Sequence, residues 1–140
     1  MDMEIIFPGG QKIDVLYKGF TIHTDQPKKE QGDGSAPAPF DLFLVSIGGC
    51  AGIYVLRFCQ KRNLSTEGLK LFLRREIDYE FKMISKIIIE IVLPSGFPEK
   101  YRDAVIKAAE LCPVKKHMIE PPEFEFYTTA LTPKPEPPGV

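Results

Sequence analysis

The chain has 140 residues, of which 44% are hydrophobic and 26% charged, and its formal net charge at pH 7 is -1. These values are typical of one soluble globular domain that buries roughly two thirds of its unfolded surface. A net charge so close to zero gives no electrostatic reason to expect nucleic acid or an acidic membrane as a partner.

The first ten residues, MDMEIIFPGG, carry acids where a secretory signal carries bases. No stretch reaches the roughly 18 apolar residues of a membrane span, because Asp41 and Arg57 bracket the most apolar run. Both features predict a cytoplasmic protein with no membrane partner. Three cysteines, an odd number in a reducing compartment, argue against a structural disulfide framework.

The N-terminal part of the chain reads as a meander of three short strands. Polar and apolar residues alternate along each stretch, and glycine-containing turns separate them. The predicted strands cover residues 4–7, 12–17 and 20–24. Their amphipathic faces need a cover. Residues 25–39 then predict a loop longer than the usual roughly four to six residues, either a flexible surface excursion or a rim over the next helix.

Residues 39–63, PFDLFLVSIGGCAGIYVLRFCQKRN, predict a helix that is apolar on most sides and therefore buried in a core or an interface. One stripe of this helix holds Phe43, Ile47, Cys50 and Tyr54. The pair Gly48-Gly49 is a natural place for a break, which would put Cys50 in the first turn of a new segment. Cys59 faces the opposite way and is expected to be part of the core.

Two further strands are predicted from alternating residues, over 69–79 and 83–93. In the first of them Arg75 is an exception, since it falls on the apolar side. A snorkelling side chain, or a bulge that turns Arg75 outward, would explain this position.

A second helix is predicted from residue 98 to Cys112, because a proline follows at once, and Cys112 falls on its buried side. A last strand is predicted over residues 123–128, with its two phenylalanines inward. Residues 1–130 are expected to form a single domain. The proline-rich residues 131–140 are expected to be a disordered or extended tail.

The order of these elements predicts the α+β class, with an antiparallel sheet packed on the helix at residues 39–63. One small sheet hardly covers a helix that is apolar on nearly all sides. This favours a homodimer in which two copies of the helix are buried together.

Cys50 and Cys112 are the candidate reactive residues. A thiol reacts as its thiolate, and a cysteine with the usual pKa of about 8.5 is mostly protonated at neutral pH. A helix N-terminus or a neighbouring cation would lower that pKa. The alternative is that both cysteines are small buried hydrophobes that only pack.

Other site chemistries fit the sequence poorly. The two histidines, His23 and His117, have no CxxC or HxxxH pair around them, so the ligand spacing of a zinc site is missing. His23 reads as a packed or surface strand residue and His117 as a solvated turn residue. Neither the GxSxG motif of hydrolases nor a phosphate-binding glycine loop is present. The residues therefore do not favour a metal site.

Residues 39–52, PFDLFLVSIGGCAG, resemble the first cysteine motif of the OsmC-like family, which includes osmotically inducible and organic hydroperoxide resistance proteins. The family pattern is P-x-E, a hydrophobic run and G-G-C. Residues 112–114, CPV, resemble the second motif of the family. The element order extends the resemblance over residues 4–129. It implies an antiparallel sheet wrapped on a long buried central helix, in an intertwined homodimer.

The resemblance also implies thiol peroxidase chemistry without a cofactor. Cys50 matches the cysteine that attacks an organic hydroperoxide and becomes a sulfenic acid, and Cys112 matches the resolving cysteine that forms a disulfide with it. A cellular dithiol of the lipoyl or thioredoxin type would then reduce the disulfide. Asp41 matches the acidic residue of the motif and is the third candidate site residue.

Two departures from the family pattern bear on the activity. Asp41 is one methylene shorter than the usual glutamate, and on a straight helix it would point away from Cys50; its other role is to favour the helix dipole. The hydroperoxide-resistance branch uses an arginine from the N-terminal strands to hold the thiolate, whereas this chain has none before Arg57. Lys12 and Lys18 lack the planar fork of arginine, so Arg75 is the candidate substitute.

Three functions therefore stay open at the level of the sequence. The first is an OsmC-like thiol peroxidase. The second is an OsmC-like dimer with little or no activity that binds a hydrophobic small molecule or senses redox state. The third is a structural or partner-binding domain whose cysteines only pack, which a wide separation of Cys50 and Cys112 would favour.

Overall fold

The computed structural model of the protein describes residues 2–130. It has five strands and three α-helices within this range, with short 3-10 turns at residues 28–30 and 99–101. In chain order the elements are β1 (Glu4–Gly9), β2 (Lys12–Tyr17), β3 (Phe20–Thr24), α1 (Pro39–Lys61), β4 (Lys70–Asp78), β5 (Met83–Val92), α2 (Arg102–Glu110) and α3 (Pro113–Ile119). The tail predicted at residues 131–140 lies outside the described residues.

Strands β1, β2 and β3 form the predicted antiparallel meander. The β2–β3 turn is Lys18-Gly19, with φ of 51° and 81°, and it closes the hairpin at the Tyr17–Phe20 pair. Positive φ at both central residues gives a turn whose twist matches that of the flanking strands. This N-terminal sheet makes no extensive contact with another element of residues 2–130. Its apolar side chains stay exposed, among them Ile5, Phe7 and Phe20.

The loop at residues 25–38 is organised around the carboxylate of Asp25, which is 0% exposed. Four groups donate hydrogen bonds to it: the backbone N–H of Gln26 at 2.8 Å, that of Asp33 at 3.2 Å, and both the N–H and hydroxyl of Ser35, at 3.0 and 2.7 Å. The Asp25 N–H in turn donates to the Pro37 carbonyl. A flexible excursion would not satisfy its polar groups in this way, so the loop is an ordered unit.

Helix α1 begins with Pro39 at its first position and runs unbroken to Lys61. The break expected at Gly48-Gly49 is absent, so that prediction was wrong. Two glycines permit a kink but do not impose one, and the tertiary contacts keep this helix regular. The buried stripe also differs from the predicted one and consists of Ile47, Ala51, Val55, Phe58 and Cys59. Of the predicted stripe only Ile47 is buried, because α2 and α3 pack on a neighbouring face of the helix.

By length and composition, α1 is apolar enough to cross a membrane, contrary to the expectation from the sequence. The acid and the arginine that bracket its most apolar run are too few to change its average. However, α1 packs on α2, α3 and β4 within the chain. A helix with such contacts on one side is typical of the core of a soluble domain.

The core lies between α1, α2 and the hairpin of β4 and β5, a second antiparallel sheet. Its fully buried centre holds Val55, Cys59 and Val105, with Phe58 at its edge. The core position expected for Cys59 is confirmed, and burial raises the pKa of its thiol. At the edge, the guanidinium of Arg62 lies 3.7 Å from the centre of the Phe58 ring, which is a cation–π contact.

The predicted helix over residues 98–112 is divided. A 3-10 turn leads into α2, which ends at Glu110, and Pro113 then opens α3. Proline favours the first turn of a helix as much as it ends the preceding one, and this explains the second helix. His117 belongs to α3 rather than to a turn, and its Nδ1 lies 2.7 Å from the Pro113 carbonyl oxygen.

Residues 123–128 do not form the predicted strand. They have no regular structure, and Phe124 and Phe126 are 78% and 91% exposed instead of facing inward. Alternating residues show that a segment fits a sheet, but a strand exists only where an edge pairs with it. Within residues 2–130 the chain thus has two separate antiparallel sheets.

Candidate functional site

Cys50 lies about three turns into α1 and is half-buried. The two glycines before it leave space beside the helix. A side chain at Gly49 would meet nothing within 4 Å, and one at Gly48 would reach only the Leu73 side chain at 3.8 Å. Since the helix is unbroken, its dipole gives the Cys50 sulfur little help at this depth.

Cys112 occupies the junction of α2 and α3 and is 2% exposed. Its backbone N–H donates to the Ala109 carbonyl at the end of α2, and its own carbonyl accepts from the Lys116 N–H in α3. The turn between these helices therefore fixes the position of the Cys112 side chain. Its side chain lies close enough to Cys50 to raise the pKa of that thiol through a hydrogen bond. The structure thus brings together the two cysteines singled out in the sequence.

The surroundings of Cys50 act on its thiol in opposite directions. Burial is the largest effect and raises the pKa, and the hydrogen bond with Cys112 raises it further. Two groups favour the thiolate: the backbone N–H of Val114, which donates to the Cys50 sulfur, and the positive charge of Arg57. The net result in this chain is a pKa above the ordinary value for cysteine.

Val114 and Arg57 were not predicted as parts of the site. Arg57 follows Cys50 by two helical turns on the same face of α1, so its spacing was a readable signal. Val114 acts through its backbone N–H, a group that every residue except proline has, so the residue type does not reveal this role. Only the contact between α3 and α1 brings its N–H to the sulfur.

Asp41, the third candidate, lies elsewhere. Its Oδ2 accepts a hydrogen bond from the Ala38 N–H at 2.9 Å, at the start of α1. Nine residues of unbroken helix place Asp41 about half a turn round the axis from Cys50. Within the described chain Asp41 therefore caps its own helix and does not join the two cysteines.

A cavity of about 690 Å³ opens beside Cys112, between α1, α2, α3 and β5. We call it the Cys112 cavity. Its wall is mainly apolar and includes Ile87, Ile89 and Ile91 of β5, and Leu93 directly after this strand. Arg102, Asp103, Glu110 and Lys115 add polar groups. The cavity has the size and the lining of a small-molecule site. Of the two cysteines, Cys112 lines the cavity and Cys50 does not.

Arg75 is exposed and does not approach the cysteines through any recorded contact. It lines a second cavity, of about 730 Å³, between the start of α1 and the β4–β5 hairpin. The ladder between β4 and β5 shifts register after Glu76, so a bulge lies one residue beyond Arg75. Arg75 itself keeps the side of β4 expected from the alternation.

In the described part of the chain, no group of three or more histidine, cysteine or acidic side chains converges on a point that could hold a metal. His23 pairs with Asp14 across the β2–β3 hairpin, at 2.9 Å between Nδ1 and Oδ1. It is an exposed strand residue, one of the two positions expected for it.

Comparison with known families identifies the class of protein. The model of the OsmC-like protein family matches residues 32–126, which is more than half of the chain and includes both cysteines of the pair. The chain belongs to the OsmC-like family. None of the curated proteins compared with it matches.

Solved structures share this fold. A protein from Psychrobacter arcticus 273-4, described as osmotic stress induced and detoxification responsive, superposes with a TM-score of 0.70 at 21% identity, over 81% of this chain and 85% of that one. A hypothetical protein from Aquifex aeolicus VF5 gives 0.64 at 24% identity, over 86% of each chain. An organic hydroperoxide resistance protein OsmC from Legionella pneumophila gives 0.53 at 16%, over 84% of this chain and 89% of that one. At these identities the likeness establishes the α+β OsmC fold with its antiparallel sheets and long helix.

Proposed function

We propose that this protein is a cytoplasmic thiol peroxidase that acts as a homodimer and reduces organic hydroperoxides. Cys50 is the attacking residue and Cys112 the resolving residue. The observation that carries the proposal is the contact between their thiols, which two distant segments of the chain create. Membership of a family that includes organic hydroperoxide resistance proteins supports the substrate class.

The reaction balances without a metal or an organic cofactor. The Cys50 thiolate attacks one oxygen of the hydroperoxide, the O–O bond breaks, and the alkoxide leaves as the alcohol with a proton from water. Cys50 is then a sulfenic acid. The Cys112 sulfur attacks the Cys50 sulfur, an S–S bond forms, and the hydroxyl leaves as water with the thiol proton. An external dithiol of the lipoyl or thioredoxin type returns two electrons and restores both thiols.

The Val114 N–H and Arg57 are the groups that stabilise the thiolate in this mechanism. Burial opposes them and raises the pKa of Cys50 above its ordinary value. Because the thiolate is the nucleophile, its fraction and the reaction rate rise with pH until the pH passes the pKa. We therefore expect a rate that still increases above the ordinary cysteine pKa of about 8.5.

The homodimer is supported by the apolar surface that one chain leaves open. On α1 the side chains of Val45 and Ile53 are 62% and 38% exposed, although they belong to the most apolar element of the chain. The N-terminal sheet exposes Phe7 and Phe20 at 79% and 70%. Exposed apolar patches of this kind are typical of surfaces that contact another protein. A second copy would cover them.

The deciding experiment follows the consumption of cumene hydroperoxide with a dithiol reductant. We expect Cys50→Ser to abolish turnover and Cys112→Ser to stop after a single equivalent, with Cys50 trapped by dimedone as the sulfenic acid. In the wild type, one equivalent of peroxide should produce a Cys50–Cys112 linkage detectable by mass spectrometry. Cys59→Ser, which changes a thiol outside the site, is the control.

The Cys112 cavity gives this experiment a second possible result. The cavity touches Cys112, and if the hydroperoxide reacts there, Cys112 would be oxidised first. The sulfenic acid would then appear in Cys50→Ser and not in Cys112→Ser, and the two roles would be exchanged. Turnover that no cysteine substitution changes would rule out the proposal altogether. In the same assay Asp41→Ala tests the third candidate: we expect full activity from a residue that caps α1.

The raised pKa of Cys50 favours a second candidate function. A thiol that stays protonated at neutral pH reacts slowly, and the chain has no arginine in β1, β2 or β3. The same fold would then be a weakly active or inactive dimer that binds a hydrophobic small molecule or senses redox state. Failure of iodoacetamide to alkylate Cys50 at pH 7, with rapid alkylation above pH 9, together with no peroxide consumption, would favour this function.

A further inference from the structure

The second cavity differs in charge from the Cys112 cavity. We call it the Arg75 cavity; it holds about 730 Å³ and has an apolar wall that includes Phe40, Phe43, Ile77 and Met83. Its lining contains three cations, Arg75, Lys82 and Lys86, and no acid. The Cys112 cavity carries two cations and two acids, which compensate each other. An apolar cavity with uncompensated positive charge is complementary to an apolar anion.

The cations of the Arg75 cavity form few ion pairs within the described chain. Of these three cations, only Lys86 has an ion pair with another residue of the range 2–130; its partner is Glu76, and at 3.9 Å the pair is loose. Arg75 and Lys82 form none. Arg75 also lies on the side of β4 that the alternation assigns to apolar residues. A guanidinium placed there without a carboxylate is available to bind a planar anion through two parallel hydrogen bonds.

Arg74, the neighbour of Arg75 in the chain, shows how an arginine that does not face the cavity is neutralised. Arg74 lies on the opposite face of β4, where it pairs with Glu90 on β5 at 2.5 Å. Its charge is thus neutralised across the hairpin, and Arg74 lines neither cavity. Arg74 and Arg75 differ in their surroundings and not in residue type, which makes them a matched pair for an experiment.

The two cavities are adjacent. Ile87 on β5 and Met118 on α3 line both of them. An extended apolar chain that starts at Arg75 can therefore pass along these two side chains toward Cys112. A methionine at such a junction adapts its shape easily to a ligand.

We propose that the Arg75 cavity binds a free medium-chain carboxylate. The carboxylate pairs with Arg75 and Lys82, and the alkyl chain packs on Phe40 and Phe43 and extends over Met118. The proposal concerns binding and requires no reaction of a thiol. It therefore stands or falls separately from the peroxidase activity, although a ligand in this orientation would place its far end near Cys112.

The test is calorimetric titration of the reduced full-length protein with decanoate and, separately, with decanol. Both have the same alkyl chain and only decanoate has a charge. A hydrogen bond to a charged group is stronger than one to a neutral hydroxyl, so we expect decanoate to bind at least about tenfold more tightly. Arg75→Gln should remove this preference, and Arg74→Gln should leave it intact. Phe43→Ala should weaken both ligands.

Three results would overturn the proposal. The first is that decanoate does not bind, as would happen if a second copy of the chain filled the cavity. The second is that decanoate and decanol bind equally, which would mean that the cations take no part. The third is that Arg74→Gln weakens decanoate binding as much as Arg75→Gln does, which would mean that only the overall charge attracts the ligand. Circular dichroism of each variant establishes that it is folded, and Cys50→Ser should bind decanoate as the wild type does.

Discussion

The N-terminal sheet and the β4–β5 hairpin are both antiparallel, and each has alternating apolar residues, yet only the hairpin is covered within the chain. Leu71 and Ile91 of the hairpin pack on the core around Val55. In the N-terminal sheet Phe7 and Phe20 are mostly exposed. The same local pattern thus has two outcomes, because an apolar face is stabilised only by what covers it. The N-terminal sheet has no extensive contact with another element of residues 2–130.

The largest effect is expected when one large aromatic side chain is removed from each region, because this tests directly which of the two is covered within the chain. Phe58 is 7% exposed and packs edge-on to Tyr101, with ring centres 5.9 Å apart. We expect Phe58→Ala to lower the free energy of unfolding by about 3–5 kcal/mol, as measured by urea denaturation. Phe20→Ala should instead weaken the dimer, at least about tenfold by sedimentation, if a second copy covers that sheet. An unchanged dissociation constant in Phe20→Ala would show that this face is left to water.

A smaller effect is expected in the loop that connects β3 to α1. A side chain at Gly32 would place its first carbon 1.9 Å from the Gln26 carbonyl oxygen, and both atoms are fixed to the backbone. We expect Gly32→Ala to cost about 1–3 kcal/mol, as overpacking does elsewhere. Gly49→Ala is the control, since it meets nothing within 4 Å in a helix and should stabilise the protein by about 0.5–1 kcal/mol. Equal effects of the two substitutions in thermal denaturation would contradict the close approach in the loop.

The sequence was sufficient for elements whose stability is local. The meander, the long helix and the hairpin follow from periodicity and turn residues, and the structure has each of them near the predicted bounds. Residues 123–128 alternate just as clearly but form no strand, because pairing depends on an edge that sequence periodicity does not specify. For the same reason the pattern gave the amphipathic faces but not the division into two sheets.

The candidate site shows a similar limit. Cys50 and Cys112 were singled out because their motifs resemble those of a family, whereas periodicity alone allowed both to be packing residues. The groups that act on the Cys50 thiol are harder to predict. Arg57 could have been found from its helical spacing, but the Val114 N–H is a backbone group that reaches the sulfur only through the packing of α3 on α1.

A change of pH tests whether Asp25 fixes the loop between β3 and α1. The hydrogen bonds from Ser35 lower the pKa of this carboxyl to about 2, from 3.8. The Asp25 carboxyl therefore binds a proton less readily in the folded state than in the unfolded state. The free energy of unfolding increases with pH between these two pKa values. The contribution of Asp25 is complete above about pH 4 to 5 and is lost as the pH falls toward 2.

The stability difference between wild type and Asp25→Asn should decrease over the same window. Ser35→Ala, which removes one donor, should raise the pKa of Asp25, as measured by the carboxyl ¹³C shift; an unchanged pKa would mean that Ser35 does not hold the loop.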